Sequence, residues 1–274
     1  VVATGGMGMV KSAYSSGVPA YGVGAGNVQT IIDRGYDYKE AAEHIVIGRS
    51  TGNGLICAGN QSAIMPPEDE AEIIRLLQAA GAFYSDDPDV IKKFTDVLFP
   101  AKEDGSRPIS PQVVGQDAQF IADLAGVEIP AGTKMIALKG QKAGPDEILC
   151  AEKMCPVLVT LTYDTFEEAV AMAKANLLFQ GAGHYASIHS NNRAHIEYAA
   201  QTLPVSRFLV NQPGIGAANP FRSNGFNPTT SLGCGSWGNN SISENLTYKH
   251  LINISRIGYK LDDSVVPTEA QIWE

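Results

Sequence analysis

Short runs of β-branched and apolar residues alternate with stretches whose apolar positions recur at helical spacing, and this alternation restricts the fold more than any single residue does. The runs at 20–23, 28–32, 62–65, 157–162, 184–189, 208–211 and 251–257 read as strands. Between them, 38–49 sets Ala41, Ala42, Ile45 and Val46 on one face, and 68–80 does the same with Ile73, Ile74 and Leu77. The segment 166–176 repeats the pattern through Phe166, Ala169, Val170 and Ala173, and 193–203 through Ile196, Ala199, Ala200 and Leu203. Apolar residues at i, i+3, i+4 and i+7 form a helix with one buried stripe, so these segments are scaffold. Strands separated by such helices predict an α/β fold, a parallel or mixed sheet covered by helices.

A chain of 274 residues can bury one large core or two small ones. Its 44% hydrophobic and 18% charged residues are those of a globular protein. A formal charge of −9 argues against nucleic acid and anionic membrane surfaces, both of which need clustered Lys and Arg. No apolar run approaches the roughly 20 residues of a membrane span. The four cysteines form no Cys-x-x-Cys or paired Cys/His spacing, so neither a disulfide framework nor a metal site is expected. The chain reads as reduced and cytoplasmic, with Cys150 and Cys155 as packing residues. Segment 100–111 is charged and broken by proline, as in a surface loop, and 212–235 is rich in Gly and Pro without periodicity. A long irregular segment inside a domain usually carries function.

One thiol stands apart. Cys57 lies in Asn53-Gly54-Leu55-Ile56-Cys57-Ala58-Gly59-Asn60, among small and polar residues around which a backbone can turn tightly. A thiol in such a bend is a candidate nucleophile toward carbonyl carbon, with nearby amide N–H groups able to lower its pKa and hold an oxyanion. A small buried hydrophobe is the bland alternative.

Two further segments bear on that choice. Thr4-Gly5-Gly6-Met7-Gly8-Met9-Val10-Lys11 runs on into Tyr21-Gly22-Val23-Gly24-Ala25-Gly26-Asn27, and Ser231-Leu232-Gly233-Cys234-Gly235-Ser236-Trp237-Gly238-Asn239-Asn240 stands near the other end. Together with the Cys57 segment, in this order, they resemble the CoA-acylating aldehyde dehydrogenases, over residues 1 to about 257. The resemblance implies a three-layer α/β catalytic domain of the aldehyde dehydrogenase type. It also implies that the chain lacks most of an N-terminal cofactor-binding domain. Residues 1–24 then belong to the end of that domain, 25–230 to the catalytic domain, and 231–274 to a substrate loop with an oligomerisation or tail segment.

Site roles follow from the same resemblance. Cys57 is the nucleophile, and its own N–H begins the oxyanion site. Thr4, Gly5 and Gly6 pass beside the nicotinamide of NAD or NADP. Glu152, in Glu152-Lys153-Met154-Cys155-Pro156-Val157, grips the ribose hydroxyls, a solvated glutamate being the alternative. His184, in Gly181-Ala182-Gly183-His184-Tyr185-Ala186, either handles a proton of coenzyme A or is satisfied structurally by a carbonyl. The glutamate by which hydrolytic relatives activate water maps to Val23 or Gly24, neither of which carries a carboxylate. Asn53, Gly233 and Cys234 fall to the substrate side, with Cys234 read as structural, and His44, His189, His195 and His250 read as structural too. Arg222 and Asn224 are a candidate donor cluster for an anionic aldehyde such as sulfoacetaldehyde, with succinate semialdehyde or acetaldehyde as alternatives. The implied partners are a small aldehyde and coenzyme A, within a homo-oligomer that is a candidate for a microcompartment. A reading from another class makes this region an assembly module whose tail, 259–274, docks a partner.

Overall fold

The computed structural model describes residues 1–218, 223–262 and 264–273. The chain opens with strand β1 (Val2–Thr4), helix α1 (Met7–Tyr14) and strand β2 (Tyr21–Val23), a unit whose two strands pair in parallel as a separate small sheet. From there β3 (Val28–Ile32) leads into α2 (Tyr38–Ser50), β4 (Asn60–Met65), α3 (Glu70–Ala80), β5 (Ala82–Ser85), α4 (Pro88–Leu98) and α5 (Ala118–Ala125). Strands β6 (Met135–Lys139) and β7 (Val157–Thr162) follow, then α6 (Phe166–Phe179), β8 (Ala186–His189), α7 (Arg193–Thr202) and β9 (Phe208–Val210). The region beyond Val210 is largely irregular, with 3₁₀ turns and a final short helix, α8 (Glu269–Trp273).

Strands β3 to β9 form one sheet in the order β5-β6-β7-β4-β3-β8-β9, parallel at every pairing. Side chains alternate faces along a strand, and the two sides have separate cores. Ile136, Leu138, Val157, Val159 and Leu161 point into a cluster with α4 to α7, whereas Met135, Ala137 and Leu158 pack with α2 and α3. This is the expected three-layer arrangement. Helix starts are fixed by side-chain caps: Asp37 accepts from the N–H groups of Lys39 and Glu40, and Thr165 accepts from that of Glu168. Polar side chains also bind the sheet centre, where the Gln29 amide oxygen accepts from Ser62 at 2.6 Å and Asn176 at 2.7 Å. Asn27 in turn donates to the carbonyl of Cys150 at 2.8 Å.

Three expectations are corrected here. Residues 251–257 form no strand; Leu251, Ile254 and Ile257 are 56–81% exposed, because a strand requires a hydrogen-bonded neighbour that the described residues do not provide. The opening residues Val1-Val2-Ala3, which read as the end of a buried strand, enter β1 of the small sheet, where Ala3 is buried and Val1 and Val2 lie in solvent. His184 precedes β8 instead of lying in it. Strands β5 and β6 and helices α1, α4 and α5 had no counterpart in the sequence reading. Among the described residues no helix is long and apolar enough to cross a membrane.

Two imidazoles are enclosed with their nitrogens unpartnered, His184 before β8 and His189 at its end. His189 lies between the rings of Tyr36 and His44, 5.5 and 5.4 Å away. Burial pushes both histidines down to about 3, so each is neutral in the folded chain. A depressed folded pKa contributes stability above the ordinary value of 6.5 and loses it as pH falls toward 3, at about 1.4 kcal/mol per unit per imidazole. Acid unfolding followed by circular dichroism should therefore begin below pH 6.5. His189→Phe, which keeps the ring contacts and removes one protonation site, should shift the midpoint roughly 0.5 unit to lower pH.

Candidate active site

Helix α2 ends at Ser50, and the chain turns through a 3₁₀ segment, Thr51–Gly54, before Cys57 and the start of β4. Gly52 and Asn53 both take left-handed conformations there, with φ of 58° and 52°. Glycine does so freely and asparagine more readily than other residues, so the Gly-Asn pair makes the turn. Asn53 serves the turn itself, being exposed, with its amide donating to the carbonyl of Gly115 at 3.0 Å.

Cys57 lines a cleft of about 350 Å³ with Thr4, Gly5, Gly6, Gly24, Glu152 and a mostly apolar wall that includes Leu55, Ile56, Met154, Ile215, Ala218 and Thr230. The loops before β3, β4 and β7 bring Gly26, Cys57 and Glu152 to one end of neighbouring parallel strands. Gly26 is required by proximity: a Cβ there would stand 2.2 Å from the carbonyl oxygen of Cys57. Its N–H donates to Oε1 of Glu152 at 3.0 Å, so one glycine touches both chemical groups of the cleft. Tyr185 donates to the carbonyls of Ala58 and Gly214, which anchors the residue after the thiol.

Electrostatics in the cleft differ from the expectation of a lowered thiol pKa. Burial foremost, then the Glu152 carboxylate and Cys234, push the Cys57 thiol up to about 12, outweighing its own N–H and Arg207. Glu152 is itself raised by burial to about 7, against the pull of the Gly26 N–H and the cations of Arg49 and Lys153. The cleft thus holds a thiol and a carboxylic acid that titrates near neutrality. Positions Val23 and Gly24 carry no carboxylate, as read from sequence, yet Glu152 supplies one to the same cleft.

Among the other sequence candidates, Gly233 and Cys234 lie in a buried loop, with the Gly233 carbonyl accepting from Arg207 at 2.7 Å and the Cys234 N–H donating to Asn240 at 3.0 Å. Cys234 lines an adjoining pocket with Gly181 and Trp237, sharing Gly24 and Ala25 with the main cleft. Burial raises its thiol to about 11. His184 is fully enclosed, outside the residues that line either pocket. Asn224 donates to Gln212 and the carbonyl of Gly216, both at 2.9 Å, and so braces its own loop. Arg222 lies outside the described residues. Sequence reading missed the apolar wall and also Arg49, Gln61 and Tyr185, whose types and spacing resemble those of scaffold.

The sequence is 57% identical over 273 residues to a succinate-semialdehyde dehydrogenase (acetylating) of Clostridium kluyveri, covering 100% of this chain and 59% of the relative. Over the residues it spans, the chain is similar to CoA-acylating aldehyde dehydrogenases. A sulfoacetaldehyde dehydrogenase of Acholeplasma sp. is 35% identical over 256 residues, 93% of the chain and 52% of the relative. Among solved structures, an acetylating aldehyde dehydrogenase from Geobacillus thermoglucosidasius superposes with a TM-score of 0.87 at 32% identity, over 98% of this chain and 57% of the other. A propionaldehyde dehydrogenase from Rhodopseudomonas palustris, solved with bound CoA and an acylated cysteine, gives 0.76 at 25% identity over 87% and 52%. No model of a protein family matches the sequence. The chain therefore spans between half and three-fifths of the length of these family members.

The close approach at Gly26 yields a test within this family. Gly26→Ala forces the Cys57 carbonyl to move, and a displacement near 1 Å at a reacting group can cost 10²-fold. The full-length variant should lose about two decades of turnover, while its circular dichroism spectrum stays that of the parent. Parent-like turnover would show that the loop relaxes without consequence.

Proposed function

We propose that the full-length protein oxidises a short aldehyde to an acyl-CoA with reduction of NAD(P)+, through a thioester on Cys57. The observation that carries this reading is the joint lining of one apolar cleft by a turn-borne thiol and a carboxyl group. The sulfur adds to the aldehyde carbon, and the Cys57 N–H is the proposed donor to the oxygen that gains charge. A nicotinamide held by Thr4, Gly5, Gly6 and Glu152 would supply the hydride acceptor for that adduct, so that the acyl group would remain on the Cys57 sulfur. The thiol of coenzyme A then takes the acyl group and frees Cys57. The first step requires that Cys57 give up a proton that burial favours keeping on the sulfur.

The cleft fits the cofactor. Glu152 has one oxygen engaged by Gly26, and among the described residues the other has no hydrogen-bond partner, which suits a ribose diol. Gly6 faces open space: a Cβ there would meet nothing within 4 Å. Thr4, Gly5, Gly6 and Glu152 are accordingly the residues proposed to hold the nicotinamide end. His184, enclosed outside both pockets, keeps a proposed part in handling coenzyme A only through its ring nitrogens, which have no partner among the described residues.

For the substrate we favour a terminal carboxylate or sulfonate. Two family members are named for such aldehydes, and Ile215, Ala218 and Thr230, on either side of Arg222 in sequence, line the cleft. Succinate semialdehyde and sulfoacetaldehyde rank together on this basis, ahead of acetaldehyde.

In the full-length enzyme, Cys57→Ala should abolish turnover and Cys234→Ala should leave most of it. Without CoA, steady NAD(P)H formation should stop; sustained CoA-independent oxidation to free acid would identify a hydrolytic enzyme instead. In a panel of the three aldehydes, Arg222→Ala should raise KM for the anionic ones by one to two decades, as expected for one charge-assisted contact, and leave acetaldehyde nearly unchanged. Equal losses on all three would remove Arg222 from the pocket.

A further inference from the structure

Arg49 stands in the last turn of α2 with no exposed surface and, among the described residues, no carboxylate in ion-pair distance. An enclosed charge without a counterion is costly, and its hydrogen bonds show what holds it there. One terminal nitrogen donates to the carbonyl of Asn60 at 3.1 Å, and the other to those of Gly54 at 3.3 Å, Lys153 and Cys155. Gly54 and Asn60 flank Cys57 at three residues on either side, whereas Lys153 and Cys155 follow Glu152 by one and three. A single guanidinium therefore fastens the nucleophile loop to the carboxylate loop.

Gln61 makes the same bridge a second time. Its oxygen accepts from the Lys153 N–H at 2.9 Å and its amide donates to the Lys153 carbonyl at 3.3 Å. The two loops are also in steric contact, since a Cβ on Gly54 would lie 2.5 Å from the Cys155 carbonyl. Arginine suits this place because its planar fork meets several acceptors at once, which an ammonium cannot do with the same directionality.

We infer that Arg49 is a positioning residue for this cleft, fixing the placement and charge of Glu152 relative to Cys57 through four backbone carbonyls, with Gln61 as its second strap. The inference rests on the proposed reading of Glu152 as the ribose-gripping carboxylate. The titratable groups around the guanidinium are Glu152, Lys153, Cys155 and Tyr185. Its charge favours ionised Glu152, while burial opposes ionisation.

The test uses the full-length protein with Arg49→Lys, Arg49→Gln and Gln61→Leu, the last included because it is the milder change should the others fail to fold. Two quantities are read that do not depend on the fraction of folded enzyme: KM for NAD(P)+, and the pH dependence of Cys57 alkylation by iodoacetamide. Arg49→Gln should raise KM about tenfold or more and move the near-neutral inflection of the alkylation profile up by about one unit, the usual effect of losing an adjacent opposite charge. Arg49→Lys keeps a charge and loses the fork, so it should restore the inflection and not KM; Gln61→Leu should raise KM by a smaller factor. Combining Arg49→Lys with Glu152→Gln should add little to KM beyond Glu152→Gln alone. Parent KM and parent inflection in variants that merely melt at lower temperature, or additive effects in the double variant, would reduce Arg49 to a structural pin. If no NAD(P)-dependent activity is found with any aldehyde, the proposed function fails, and the alkylation profile still decides whether Arg49 governs the Glu152–Cys57 pair.

Discussion

Parallel pairing of β7, β4, β3 and β8 is the constraint on which the cleft depends. Parallel neighbours present the same end to the same side, so the loops that precede them meet although 26, 57, 152 and 184 are far apart in sequence. The chemistry gathers at the amino ends of these strands, opposite to the carboxyl-end crevice typical of open α/β sheets. The connections at the carboxyl ends are the shorter ones, as from β7 to α6 and from β8 to α7, whereas the loop before β7 runs from 140 to 156. At the carboxyl ends Asp33 instead closes a compact network, accepting from Ser190 at 2.5 Å and pairing with His195 at 2.8 Å.

Much of this was legible from residue order. Helices with a clear apolar stripe, such as α2 and α6, fall within a few residues of their expected bounds, because periodicity reports the buried face directly. Strand β6 was not legible: Met-Ile-Ala-Leu-Lys is short, buried on both faces and lacks alternation, the pattern that a central parallel strand shares with any apolar run. The converse failure is 251–257, where alternation is present and pairing is not. In the site, Cys57, Glu152 and Thr4 to Gly6 stood out through motifs and do line one cleft. Arg49 did not, since a basic residue in the last turn of a helix ordinarily faces solvent beside the helix dipole. Only the return of the 150–155 loop, a hundred residues later, encloses it.

Local charge in the cleft sets a consistent chemical picture. Two cations, Arg49 and Lys153, are enclosed beneath the carboxylate loop, and the Lys153 ammonium, lowered to about 7 by burial and then by Arg49, donates to the carbonyls of Leu149 and Ala151. Glu152 is buried beside them and lines the same cleft as the Cys57 thiol. A thiol held protonated is a weak nucleophile, because the thiolate is the reactive form.

The two walls of the cleft belong to different sheets. Thr4 to Gly6 and Gly24 come from the β1–β2 unit, whereas Cys57 and Glu152 are borne by the seven-stranded sheet, and among the described residues no strand-to-strand ladder joins the two. Single hydrogen bonds cross between the β1–β2 unit and the irregular region, from Ser241 to the carbonyl of Ala20 at 3.0 Å and between Thr4 and Ser231 at 3.3 Å. The cleft is thus a seam between two sheets. A molecule lying across it would contact both bodies and act as a staple, so the cohesion of this part of the protein becomes a function of ligand concentration, through the same mass action that sets occupancy.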